Sequence, residues 1–207
     1  MVKKHGFIST EEKREKRKKA LMSLILAGLM FFSVFAMGIS YLQTEKIKFN
    51  EHTFKISNDE KYGNTQVLTT KFNDKEIFFY TYPEQAMSIP VEGNLTNILK
   101  NSNEIVFTYD PTSNISSIVD SIRYEFSTLS DKQFYASVND IYENYESFPV
   151  ITCANSSINL PVIYFMETTN TTNIFVNESC VIVNLKLNEA VYLRDRLLLS
   201  ITGISSN

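Results

Sequence analysis

The chain has little of what reaction chemistry usually draws on. Its 207 residues hold no tryptophan, two cysteines, two histidines and six glycines. That glycine content is under half the usual ~7%, which argues against glycine-rich loops that cradle phosphates. Only His52 lies beyond the first few residues, so a Ser-His-Asp relay lacks a well-placed base. Cys153 and Cys180 are too far apart for a C-x-x-C redox or zinc motif. No G-x-S-x-G, H-E-x-x-H, Walker or dinucleotide-binding fingerprint occurs, nor the acid spacing of a calcium loop. These gaps favour a protein that is not an enzyme, with no cofactor and no metal.

What is present is unevenly spread. Residues 1–19 carry eight basic and three acidic side chains, whereas residues 43–207 carry 12 basic and 20 acidic ones. Between them, residues 20–42 contain no charge. At 1.5 Å per residue that is about 34 Å of helix, enough for a hydrocarbon core of ~30 Å. Tyr41 falls where an interfacial aromatic belongs, and the basic cluster abuts only the N-terminal end. The expectation is a single-pass signal-anchor in the cell membrane, with the lipid bilayer as a partner. Its N-terminus is cytoplasmic and the bulk of the chain extracytoplasmic. A cleavable signal peptide is the competing reading, with Val34-Phe35-Ala36 at the cleavage point, but the apolar stretch exceeds a usual h-region. Ser9 followed by Glu12 fits a capping box, so one helix is expected from about Ser9 to Leu42.

The rest predicts an α/β (or α+β) architecture: one mixed-sheet domain whose first part is antiparallel and β-rich. Expected divisions are a basic stub 1–19, the helix 20–42, a β-rich part 43–90 and an α/β part 91–207. Residues 46–56, interrupted at Asn50-Glu51-His52, read as a hairpin or bulge, and the pair 66–72 and 76–82 as a hairpin turning at Asn73-Asp74-Lys75. Pro83 and Pro90 bracket an expected loop. Residues 104–109 form a continuous apolar run of buried-strand type, and Ile115, Ile118, Val119, Ile122 and Phe126 repeat at helical spacing. Strands are expected at 133–138, 149–153, 161–166, 173–176 and 180–185, a short helix at 141–145, and a closing helix at 189–202. In that last helix Arg194, Asp195 and Arg196 read as the polar face.

The candidate ligand-binding residues are Asp110, Thr112 and Ser113, placed where an open α/β sheet holds ligands, at a strand's carboxyl end before a helix. The competing structural role is Asp110 as helix N-cap with Pro111 at N1. Cys153 and Cys180, flanking two predicted strands, are expected to form a disulfide. N-x-S/T sequons stand at Asn94, Asn114, Asn155, Asn170 and Asn177. From 19 Asn and 38 Ser+Thr, chance alone supplies about 3.5. Tyr135, Tyr142, Tyr145 and Phe148 gather in a polar stretch, where they either pack under an irregular segment or serve an interface. The acidic balance disfavours nucleic acid.

Phe78-Phe79-Tyr80-Thr81-Tyr82-Pro83, Phe107-Thr108-Tyr109-Asp110-Pro111, Val150-Ile151-Thr152-Cys153 and Cys180-Val181-Ile182-Val183 give a layout that loosely resembles a group of uncharacterised, single-pass membrane-anchored archaeal proteins. The resemblance implies localisation and brings no activity. The expected function is a non-enzymatic binding or assembly module of the cell envelope, its partner an envelope protein or glycan. The alternative is a divergent membrane-anchored enzyme or ligand sensor with its site near Asp110.

Overall fold

Turn chemistry organises the first sheet. Asn73 and Asp74 both adopt positive φ, as the favoured two-residue hairpin turn requires, and they join β3 (Thr65–Phe72) to β4 (Lys75–Phe79). Asn50, also at positive φ, turns β1 (Lys46–Phe49) into β2 (His52–Asp59). The result is an antiparallel meander in the order β1-β2-β3-β4. The computed structural model describes residues 10–42, 45–59 and 65–205, with side chains described from 14–34, 45–58 and 65–205.

Two compact units divide the chain at Thr44 and Glu45. The first is helix α1 (Thr10–Leu42). Among the described residues no helix is long and apolar enough to cross a membrane, and this overturns the expected anchor. The uncharged stretch with described side chains is 20–34, about 22 Å at 1.5 Å per residue, against a core of ~30 Å. It continues a charged run from Arg14 to Lys19 in the same helix. The transmembrane element of the fold, the cytoplasmic N-terminus and the extracytoplasmic placement of the bulk are corrected accordingly. The Ser9 cap and the Tyr41 side chain lie outside the described residues.

The second unit is mixed α/β with two sheets. After the meander come α2 (Pro83–Met87), β5 (Val91–Glu92), α3 (Leu95–Asn101), β6 (Glu104–Tyr109), α4 (Ser116–Leu129) and β7 (Gln133–Val138). Then follow β8 (Val162–Glu167), β9 (Asn173–Asn177), β10 (Cys180–Leu185) and α5 (Ala190–Thr202). The six-stranded sheet has the order β5-β9-β10-β8-β6-β7. β10, β8, β6 and β7 run parallel, while β9 opposes β10 and pairs in parallel with β5. Gly93, at φ +96°, permits that last pairing: a Cβ there would lie 2.8 Å from Val176 Cβ.

One face of this sheet presents Ile105, Phe107, Phe165, Val181, Val183 and Leu185 to a core shared with the helices and with Phe54, Leu68, Ile77 and Phe79 of the meander. Phe107 is the hub, in ring contact with Phe126, Phe134 and Phe165. The other face holds a smaller cluster of Val106, Val162 and Cys180 under Ile151, Cys153 and Leu160. The Cys153–Cys180 disulfide is formed and pins the irregular segment 139–161 there.

Local structure departs from expectation in four places. The 83–90 loop contains α2, because Pro83 occupies N1, where its missing N–H costs nothing. Residues 141–145 form turns, with Asn144 at positive φ. The stretch around Pro149 is a single bridge from Val150 to Val138, and Cys153–Asn155 is one 3₁₀ turn capped by Thr152. Most telling is α5: Arg194, Asp195 and Arg196 are all buried, because from Leu193 onward the helix is enclosed on every side.

Candidate functional site

The strand order itself locates a crevice. From β6 the chain passes through α4 to β7 on one flank, whereas from β8 it proceeds to β9 and β10 on the other. β6 and β8 are adjacent and parallel, with Val106 opposite Val162 and Thr108 opposite Tyr164. The carboxyl ends of these strands therefore flank a topological switch point, the position where open α/β sheets seat ligands.

Polar side chains from three strand ends form two hydrogen-bonded groups there. The half-buried Tyr142 hydroxyl lies between the Asn139 amide oxygen, 2.8 Å away, and the Asp110 carboxylate. Asn139 in turn donates to the Tyr164 hydroxyl of β8 at 3.1 Å. On the opposite lip Glu167 accepts from the Asn114 backbone at 3.1 Å and from its side chain at 2.9 Å. Burial first, and then the negative charge of Asp110, raise the Tyr142 hydroxyl above its usual range. It stays protonated at neutral pH and acts as a donor.

Asp110 does not cap α4. That helix begins at Ser116 with Ile115 at its N-cap. Asp110 instead closes a turn of its own: Oδ1 accepts from Thr112 N at 2.8 Å and Thr112 Oγ1 at 2.7 Å. Ser113 Oγ donates to the Asp110 carbonyl at 2.7 Å. The three expected residues do come together, and the hydroxyls of Thr112 and Ser113 are used within the turn. Tyr142 and Asn114 stood out in the sequence for other reasons. Asn139, Tyr164 and Glu167 carried no signal beyond lying in or just past strands, which is where a search around Asp110 belongs.

Behind the crevice Tyr109 ends β6 buried against α4, and Asp120 also accepts from Arg123 Nε and Nη2, each at 2.9 Å. Burial, then the charge and hydrogen bond of Asp120, push the Tyr109 hydroxyl up to about 12. The folded pKa exceeds the unfolded ~10, so the stabilisation is complete below pH 10 and is lost as pH rises from 10 through 12. Two units correspond to about 3 kcal/mol at the upper limit. Denaturant unfolding across this range is expected to show that loss in the wild-type chain and a flatter profile in Tyr109→Phe.

All five sequon asparagines are exposed. The side chains of Asn94 and Asn155 accept local backbone donors, from Asn97 N at 3.0 Å and Thr152 N at 2.9 Å. The Asn114 side-chain nitrogen is bound to Glu167 Oε1. Among the described residues no cluster of three His, Cys, Asp or Glu is arranged to hold a metal ion. The fold is a mixed α/β domain with polar side chains at the topological switch point of its larger sheet. No family model, curated protein or solved structure matches the chain.

Proposed function

We propose that the second unit is a non-enzymatic binding module whose ligand seats in the crevice between the carboxyl ends of β6 and β8. The observation supporting this is a pair of hydrogen-bonded groups at the carboxyl ends of these strands, one of Asp110, Asn139, Tyr142 and Tyr164 and the other of Asn114 and Glu167. Two carboxylates accept hydrogen bonds from neighbouring hydroxyls, amides both donate and accept, and tyrosine rings offer an apolar face with a polar tip. That set suits a hydroxyl-rich ligand, and a glycan is the favoured partner class. Acidic groups at the lip oppose a polyanion such as nucleic acid. Binding is favoured over catalysis because the hydroxyls of Thr112 and Ser113 are engaged and the Tyr142 hydroxyl is held away from ionisation.

The test is titration of soluble oligosaccharides against the full chain and three variants. Tyr142→Phe, Glu167→Gln and Asp110→Asn are each expected to weaken binding by about tenfold or more, the loss of one hydrogen bond to a charged or buried polar group. Unchanged affinity in all three sinks the assignment.

A further inference from the structure

A cleft of about 330 Å³ lies between the segment after α2, the residues before β9 and the start of α5, lined by Ser88, Ile89, Pro90, Thr172, Glu189 and Tyr192 among others. Its walls are fixed by the fold itself. Ile174 N donates to the Pro90 carbonyl at 2.9 Å. Thr172, itself buried, accepts from Lys186 N on its hydroxyl at 3.0 Å and gives its own N–H to Glu189 Oε2 at 2.8 Å. Ile89 is buried, and Pro90 and Tyr192 extend the apolar part of the lining.

Among the described residues Glu189 is the single charged group on that lining. Bonds from the Thr172 backbone first, then its side chain, and last the Lys186 charge hold its pKa below the usual range against the opposing effect of burial. The N-terminal end of α5, which Glu189 directly precedes, favours the same negative charge. Yet the carboxylate forms no ion pair among the described residues. Lys186 stays beyond ion-pair distance and does not line the cleft. The bonds from Thr172 leave part of the carboxylate unused, since its two oxygens offer about four acceptor sites. Small-molecule sites combine an apolar wall with a few polar groups that fix orientation, in clefts from about 300 Å³ upward. We propose that this cleft binds a small organic cation, an ammonium group on an apolar body. The ammonium donates to Glu189 and the body lies against Ile89, Pro90 and Tyr192. Ser88 supplies a second acceptor, because its hydroxyl proton is given to the Gln85 carbonyl at 2.6 Å. Either a free amine or a lysine side chain of another protein presents such a group.

The experiment is calorimetric titration of the full chain at pH 7 with benzylamine, benzyl alcohol and Nα-acetyl-lysine amide. Benzylamine is expected to saturate one site and to bind about tenfold more tightly than benzyl alcohol, the difference made by one charge-assisted hydrogen bond. The tighter of the two amines names the source of the ammonium. Glu189→Gln keeps an oxygen for Thr172 N while removing the charge, and is expected to bring benzylamine down to the affinity of the alcohol. Tyr192→Ala is expected to weaken benzylamine and benzyl alcohol alike, by about threefold, through lost apolar contact. Equal affinity for benzylamine and benzyl alcohol, an unchanged benzylamine affinity in Glu189→Gln, or no binding of either amine overturns the proposal. None of these results bears on the β6–β8 crevice, which these variants leave untouched.

Discussion

Asp195→Ala is expected to lose about 4 kcal/mol of stability, more than any other single truncation considered for this domain. The carboxylate is fully buried. Its Oδ2 accepts from Tyr80 N at 2.9 Å, Thr81 N at 2.7 Å and Thr81 Oγ1 at 2.8 Å, while Oδ1 pairs with Arg194. Alanine strands two backbone donors, a hydroxyl and one edge of a buried guanidinium at once, and each orphan carries a desolvation penalty. The residue thereby ties the segment after β4 to α5. Glu125→Gln is the informative contrast: Glu125 also pairs with Arg194 but its side chain is 30% exposed, so water compensates and the loss is expected to be about 1 kcal/mol. Thermal unfolding separates them, with a Tm drop on the order of 10 °C for Asp195→Ala and a few degrees for Glu125→Gln. Equal, small effects contradict the buried-clasp account.

Removal of the disulfide in a Cys153→Ala, Cys180→Ala double variant is expected to destabilise by about 3.5 kcal/mol on the chain-entropy view of a loop this long. The cysteines are 27 positions apart. The bridge is also the main attachment of segment 139–161 to the sheet face bearing Val106 and Val162. Hydrogen exchange is therefore expected to accelerate most between residues 149 and 160, with β6 and β8 protected as before. A uniform acceleration, or none, contradicts this placement. Since Asn139 and Tyr142 lie in the same segment, the variant is also expected to weaken ligand binding at the crevice.

Much of the fold was readable from short-range chemistry. Asn73-Asp74 announced a hairpin because these residues tolerate positive φ. The EIVFTY run of β6 and the three-and-four spacing of α4 follow directly from burial on both faces of a strand or one face of a helix. What failed was most of what depends on distant neighbours, the Cys153–Cys180 pairing excepted. Arg194, Asp195 and Arg196 resemble a solvated face in sequence, and nothing local reveals that α2, α3 and α4 pack around α5 or that partners come from positions more than 60 residues away. Segment 139–161 has no period because the disulfide, one bridge at Val150 and local turns hold it in place of continuous strand pairing. The charge-free stretch 20–42 led to an anchor that the described residues do not sustain.

The site was half legible for the same reason. Asp110 was reached through its position after a strand and does directly follow β6, but it does not cap α4, which starts six residues later, at Ser116. Glu167 and Asn139 become neighbours of Asp110's turn and of Tyr142 only through the non-sequential order β8-β6-β7, which no local pattern specifies.

The central claim is that ligand binding occurs at the β6–β8 switch point. The most direct test is amide chemical-shift mapping of the labelled chain titrated with a soluble oligosaccharide mixture. Saturable shifts confined to residues 109–114, 139–142 and 164–168 are the predicted result. Shifts centred elsewhere, or no shifts from any hydroxyl-rich ligand, contradict it.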